Sequence, residues 1–335
     1  MTETPGLNLT LDVLSKTGLS SLTADLRESI LLTYVKIKRK HQKEALVMIE
    51  KMEFGRTGHR STRLLFGAAA FYNTTDPDDV KKTMDTVDRF GINHIDTARG
   101  YNKSEEMLGP WLKHNRERFF LATKTEARSF KEAMTDLEKS LDFLKTDHVD
   151  LWQMHCLAEP EEWEKAKDEE NGAIRAFREA RDRGLVRFLG VTSHGMKAPV
   201  VLKSAVDYFD FDSVLLPYNY PIIQDESYNR AFCQLYEDCK KKNRAIQIIK
   251  TIAKGPYPDT EGQTYNTWYK PLVSQADINT AVGWAMNLEN SFINSAAEMS
   301  LLEKIAQAAD TNRSPVTDEQ MGQLAEEAGM TNLFA

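Results

Sequence analysis

The chain has 335 residues, of which 41% are hydrophobic and 28% charged, so it lies in the globular range and is long enough to bury a substantial core. That composition excludes a disordered or fibrous protein, and a formal charge of −7 argues against nucleic-acid binding driven by overall charge. Three cysteines, Cys156, Cys233 and Cys239, form no C-x-x-C pair, which leaves no basis for a zinc knuckle, an iron–sulfur cluster or a disulfide framework. The opening MTETPGLNLT lacks the basic and apolar stretches of a signal peptide, and no run approaches the ~18 apolar residues of a membrane span. The expectation is a soluble cytoplasmic protein with no nucleic-acid or membrane partner.

Residues 1–51 differ from the rest. They carry 8 basic and 6 acidic residues, and the stretch from about Asp25 to Lys51 has a helical apolar pattern around the basic run KIKRKHQK. A solvated helix face in an N-terminal extension is the plain reading, and a partner-docking element the sharper one. From Met52 a piece punctuated by Gly55 and Gly58 predicts a hairpin before the main fold.

Eight short apolar runs then follow: RLLFGA, INHID, RFFLATK, HVDLWQMH, VRFLGVTS, FDSVLL, AIQIIKTI and SFINSA. Between them stand helix candidates with cap-like starts at Asp76 to Arg89, Ser129 to Leu144, Gly172 to Asp182 and Asp277 to Asn287, and a last one runs from Thr317 to Ala328. Eight such units predict a (β/α)8 barrel over residues 52–335. The rival doubly wound sheet would carry a Gly-rich loop after its first strand, and Gly67 in FGAAAF is isolated. Two long connections, Leu157 to Asn171 and Lys254 to Gln275, follow strands and so fall on the C-terminal face, where barrel active sites are built.

Asp96, Tyr101, Lys124 and His155 lie at or just past the ends of consecutive strands, so a parallel barrel brings them together. Alone, each has an ordinary structural role. Together they define an acid: an ammonium at Lys124 lowers the pKa of a nearby Tyr101 hydroxyl, Asp96 balances that ammonium, and His155 orients a carbonyl. The seven histidines show no H-x-x-x-H or H-E-x-x-H spacing, so no catalytic metal is expected.

The motifs IDTA…Y…SEE, ATK and DLWQMH resemble those of the aldo-keto reductases, from about Met52 to the C-terminus. The resemblance implies a barrel that binds a nicotinamide dinucleotide and reduces an aldehyde or ketone, with Asp96, Tyr101, Lys124 and His155 as the catalytic tetrad. It implies that Thr192 and Ser193 hold the nicotinamide carboxamide, that Tyr218 stacks on the nicotinamide ring, and that Lys254 contacts phosphate. In FINSAAEMSLLEKI, Glu298 stands where it repels a 2′-phosphate, while Lys304 reaches toward one; NADP(H) is expected ahead of NAD(H). Asn102 replaces the glycine usual after the catalytic tyrosine. Tyr265, Trp268 and Tyr269 are candidates for one wall of a small-molecule carbonyl pocket. The competing reading is a cofactor-binding, redox-sensing regulatory subunit on the same barrel. A further alternative, a Schiff-base enzyme, would use Lys124 as its amine.

Overall fold

The computed structural model describes residues 49–258, 262–310 and 314–334. The helical reading of the N-terminal extension falls outside these residues up to Met48. Lys51 itself opens a strand, because its backbone pairs with Thr62 in an antiparallel hairpin of β1 (Lys51–Glu53) and β2 (Arg60–Thr62).

Eight parallel strands close into a barrel: β3 (Leu64–Gly67), β4 (His94–Asp96), β5 (Phe120–Thr125), β6 (Val149–Met154), β7 (Val186–Thr192), β8 (Ser213–Pro217), β9 (Ala245–Ile249) and β12 (Ser291–Asn294). Each falls within one of the eight apolar runs except at the ends of β5 and β8, which extend one residue past theirs. β12 closes the ring between β9 and β3. All six residues of β5 and of β6 are buried, as strands covered on both faces require.

Helices cover the outside, and their starts obey capping chemistry. Asp76, Ser129 and Thr317 cap α1 (Pro77–Arg89), α3 (Phe130–Leu144) and α11 (Asp318–Ala328), each accepting a backbone N–H of the first turn. α2 (Ser104–Leu112) and α5 (Ala173–Asp182) complete the first half of this layer, and α6 (Ala198–Tyr208), the single-turn α7 (Tyr220–Ile223) and α8 (Glu226–Lys241) continue it. α9 (Gln275–Ala285) starts two residues before the predicted Asp277, because Ser274 is the cap and Asp277 only donates its N–H to it. α10 (Met299–Ala308) follows β12, and α11 packs on α9 and α7.

Both long connections carry structure of their own. Leu157 to Asn171 contains α4 (Pro160–Ala166), begun by a capping box between Glu159 and Glu162. The predicted seventh strand breaks after Ile249, where Lys250 turns left-handed at φ 70°, and the chain resumes as β10 (Ala253–Gly255) paired with β11 (Lys270–Pro271). Among the described residues no helix is long and apolar enough to cross a membrane.

The hairpin plugs the N-terminal end of the barrel. Phe54, fully buried, lies against Phe120, Phe292 and His94 with ring centroids 4.8 to 5.4 Å apart, beside Leu65, Ala122, Leu151 and Ala245. Phe54→Ala leaves a cavity there that strand ends cannot collapse to fill, and a loss of ~3–5 kcal/mol is expected in urea unfolding. A loss below about 1 kcal/mol would show that the hairpin is not part of the core.

Candidate active site

The C-terminal end of the barrel holds a cavity lined by Asp96, Tyr101, Lys124 and His155. Lys124 is the centre of this group. Its Nζ donates to Asp96 Oδ2 at 2.5 Å, to the Thr97 carbonyl at 2.9 Å and to Tyr101 Oη at 3.4 Å. Those three contacts hold the amine in place between Asp96 and Tyr101. Both members of the ion pair are almost fully buried, so each charge depends on the other.

Strand register explains how the pair is supported. Lys124, Gln153, Gly190 and Ser213 are side-by-side partners on β5 to β8. A Cβ on Gly190 would lie 2.9 Å from Gln153 Cγ and 2.4 Å from Ser213 Oγ, so glycine there leaves room for the glutamine. Gln153 Nε2 then donates to Asp96 Oδ1 at 2.7 Å, Asn294 Nδ2 donates to Asp96 Oδ2 at 3.2 Å, and Gln247 Nε2 donates to Gln153 Oε1 at 3.0 Å. A polar network thus crosses the barrel interior and ends on the Asp96 carboxylate.

Tyr101 sits on the loop after β4. Ser104 Oγ donates to the Ala68 carbonyl at 2.7 Å, and Glu105 is held by Thr123 and Arg99, which fixes the start of α2 directly behind the tyrosine. Asn102 adopts a left-handed φ of 40° and donates from Nδ2 to the Tyr72 carbonyl at 3.0 Å. Asparagine therefore supplies the turn that a glycine would supply there. The Tyr101 ring meets His155 edge-on at 5.4 Å, and His155 Nδ1 faces Glu126 Oε1 at 3.3 Å.

The electrostatics refine the expectation for Tyr101. Burial pushes its hydroxyl above the ordinary tyrosine value, and the Lys124 ammonium is the foremost influence pulling it back down. On balance the pKa is raised rather than lowered, so the hydroxyl keeps its proton at neutral pH. Burial works to lower the pKa of Lys124, but Asp96 and then Tyr101 outweigh it and hold the ammonium above its usual value. His155 is lowered, chiefly by burial, and is a neutral imidazole at pH 7.

The residues expected to hold a cofactor are dispersed. Thr192 and Ser193 are fully buried, but Thr192 Oγ1 accepts from Cys156 N at 2.9 Å and Ser193 Oγ donates to the Leu157 carbonyl at 2.6 Å; both hydroxyls tie the end of β7 to the loop that follows β6. Tyr218 does not line the cavity. Its ring stacks on Trp284 at 5.1 Å and lies 4.9 Å from Phe232, among the outer helices. The reason is parity: Leu215 faces the cavity, so a residue three positions on faces away. Lys254 lies on β10, and its carbonyl accepts from Thr331 N. Glu298 caps α10 through Ser300 N and also accepts from Asn266 N at 2.9 Å, while Lys304 Nζ donates to the Val273 carbonyl at 2.7 Å.

Several cavity residues were not among the predicted catalytic and cofactor residues. His194 lines the wall, 6.1 Å from the His155 ring, with its pKa held well below the usual value by burial. Lys250 also lines it, and Trp268 and Tyr269 do so as expected, whereas Tyr265 lies outside. A lysine set inside the apolar run IIKTI was the available signal for Lys250. The cavity continues along Asn294, Ser295, Ala296 and Ala297 to Ile305 on α10, and three polar atoms of its lining residues, His155 Nδ1, Thr251 Oγ1 and Asn294 Oδ1, are buried without a hydrogen-bond partner. A cavity with orphaned polar atoms suits a polar cofactor.

The Aldo/keto reductase family model matches residues 63–326, and the chain belongs to that family. The chain is 28% identical over 162 residues to an uncharacterized oxidoreductase, YqkF, of Bacillus subtilis, a match spanning 43% of this chain and 49% of that protein, so it spans about half the length of that curated relative. Its fold is similar to the holo form of an aldo-keto reductase from Bacillus halodurans, with a TM-score of 0.61 at 21% identity, covering 85% of this chain and 98% of the other. An aldo-keto reductase from Bombyx mori in complex with NADP gives a TM-score of 0.58 at 18% identity, covering 83% and 92%.

Burial lowers the Lys250 ammonium to about 8, against a reference near ~10.4 for a solvated lysine. Since only the free amine is nucleophilic, reductive methylation followed by mass spectrometry is expected to show Lys250 reacting with a half-maximal rate near pH 8. Surface lysines should still be gaining rate above that pH. A Lys250 profile indistinguishable from theirs would contradict this electrostatic description.

Proposed function

We propose that the protein reduces an aldehyde or ketone to an alcohol, with a nicotinamide dinucleotide bound along the cavity. The observation that carries this reading is the buried Asp96–Lys124 pair aimed at a protonated Tyr101, with a neutral His155 at its edge. When bound, the cofactor supplies a hydride to the carbonyl carbon. Tyr101 gives its proton to the carbonyl oxygen, and the Lys124 ammonium stabilises the phenolate left behind. Asp96 keeps that ammonium charged and in place. His155 packs edge-on against the Tyr101 ring and limits how a substrate carbonyl can lie beside the tyrosine hydroxyl, which fixes the substrate's orientation.

Thr251 and Asn294 are the residues suited to the cofactor's polar groups, since both carry a buried unpaired atom facing the cavity. NADP(H) is the proposed form, supported by the NADP complex of the Bombyx mori protein and by the half-buried Lys304 on α10. Glu298 opposes it less than its charge suggests, because the carboxylate already accepts from Ser300 and Asn266. A small carbonyl compound is the proposed partner and the cytoplasm the proposed setting, in keeping with three free cysteines.

Tyr101→Phe removes the proton donor and little else. A fall in kcat/KM of about 10²–10⁴-fold is expected for NADPH-dependent reduction of a reactive aromatic aldehyde, with NADPH binding retained. Near-normal turnover by the variant would contradict the mechanism.

A further inference from the structure

Two lysines bring positive charge to the cavity wall, Lys124 and Lys250. The donors of Lys124 are committed to Asp96, Thr97 and Tyr101. Lys250 differs: among the described residues its ammonium has no carboxylate or hydrogen-bond acceptor. Its Nζ lies instead over two aromatic faces, 5.3 Å from the Trp268 ring centre and 4.7 Å from that of Tyr269. Such contacts contribute roughly 0.5–2 kcal/mol each, less than the several kcal/mol that full withdrawal of an ammonium from water costs, and the half-buried Lys250 has given up part of its solvation. The charge is therefore incompletely compensated and suits an anion.

The location narrows the source of that anion. Trp268 is the shared neighbour of Lys250 and Tyr101, with its ring centre 6.4 Å from that of Tyr101, and it is 53% exposed at the cavity mouth. His194, neutral through burial, lines the same wall near His155 and offers a hydrogen bond without a competing charge. Lys250 is thus grouped with the proton-donating residues. The phosphate candidates Glu298 and Lys304 lie instead at α10.

We propose that Lys250 is a specificity-determining residue that receives a carboxylate carried by the substrate. The favoured substrates are then carbonyl compounds with a carboxylate a few bonds from the reacting carbon, such as 2-oxo acids or short aldehydic acids. This inference rests on the reductase reading. The same ammonium chemistry would also accept a phosphate of the dinucleotide, so the test separates these two sources.

Lys250→Met keeps the apolar stem against Trp268 and Tyr269, and Lys250→Arg keeps the charge. On the purified full chain, calorimetric titration with benzoate and with neutral benzamide is expected to show benzoate binding weakened at least tenfold in Lys250→Met and largely restored in Lys250→Arg, with benzamide binding alike in all three. In turnover, the preference for 4-carboxybenzaldehyde over benzaldehyde, taken as a ratio of kcat/KM, should collapse at least tenfold in Lys250→Met, mainly through KM. The Kd for NADPH should hold within about twofold. Unchanged benzoate binding, an unchanged preference, or weakened NADPH binding with equal losses on both aldehydes would each overturn the proposal, the last by assigning Lys250 to the cofactor. If no aldehyde is reduced by the wild type while benzoate binding still depends on Lys250, the reductase reading fails and the anion site stands.

Discussion

An ammonium enclosed in a barrel is tenable only with a carboxylate beside it, and the contact between Lys124 and Asp96 is the constraint on which the rest of this site depends. The two side chains come from neighbouring strands, so closing the sheet creates the pair. Gln153, Gln247 and Asn294 then support the carboxylate from across the barrel, and Gly190 leaves the space that Gln153 needs. Fold and chemistry are coupled here at the level of single side chains. Removing either charge strands the other, at a cost of about 3–5 kcal/mol in comparable buried pairs.

The pair also sets what Tyr101 does. Burial alone would make its hydroxyl a reluctant acid, and the ammonium 3.4 Å away offsets part of that effect. The outcome is a donor that holds its proton until a carbonyl oxygen gains negative charge. A neutral His155 next to it positions a substrate without adding a second positive charge to a site that already contains two lysines.

The barrel was legible because its signals are local. Strands such as RFFLATK and HVDLWQMH are rich in apolar and aromatic residues, as strands covered on both faces are, and Asp76, Ser129 and Thr317 announce helices by side-chain capping. The convergence of Asp96, Tyr101, Lys124 and His155 on one cavity was legible because successive strand ends in a parallel barrel are neighbours. What escaped depends on which way a side chain faces. Tyr218 has the chemistry to stack on a flat ring, but one step of strand parity sends it to Trp284 instead. Thr192 and Ser193 stand in an expected motif, yet their hydroxyls are used within the fold. Lys250 was hidden because a left-handed residue breaks the run IIKTI and turns it toward the mouth, and no spacing rule reports that.

The claim that Asp96 and Lys124 act as one unit is tested most directly by a double-mutant cycle on turnover, with Asp96→Asn, Lys124→Met and the combined variant assayed against wild type at saturating NADPH. The account predicts strong non-additivity, with the double variant turning over about as poorly as the worse single one, because each single change already disables the unit. Losses that multiply, as for two independent residues, would contradict it.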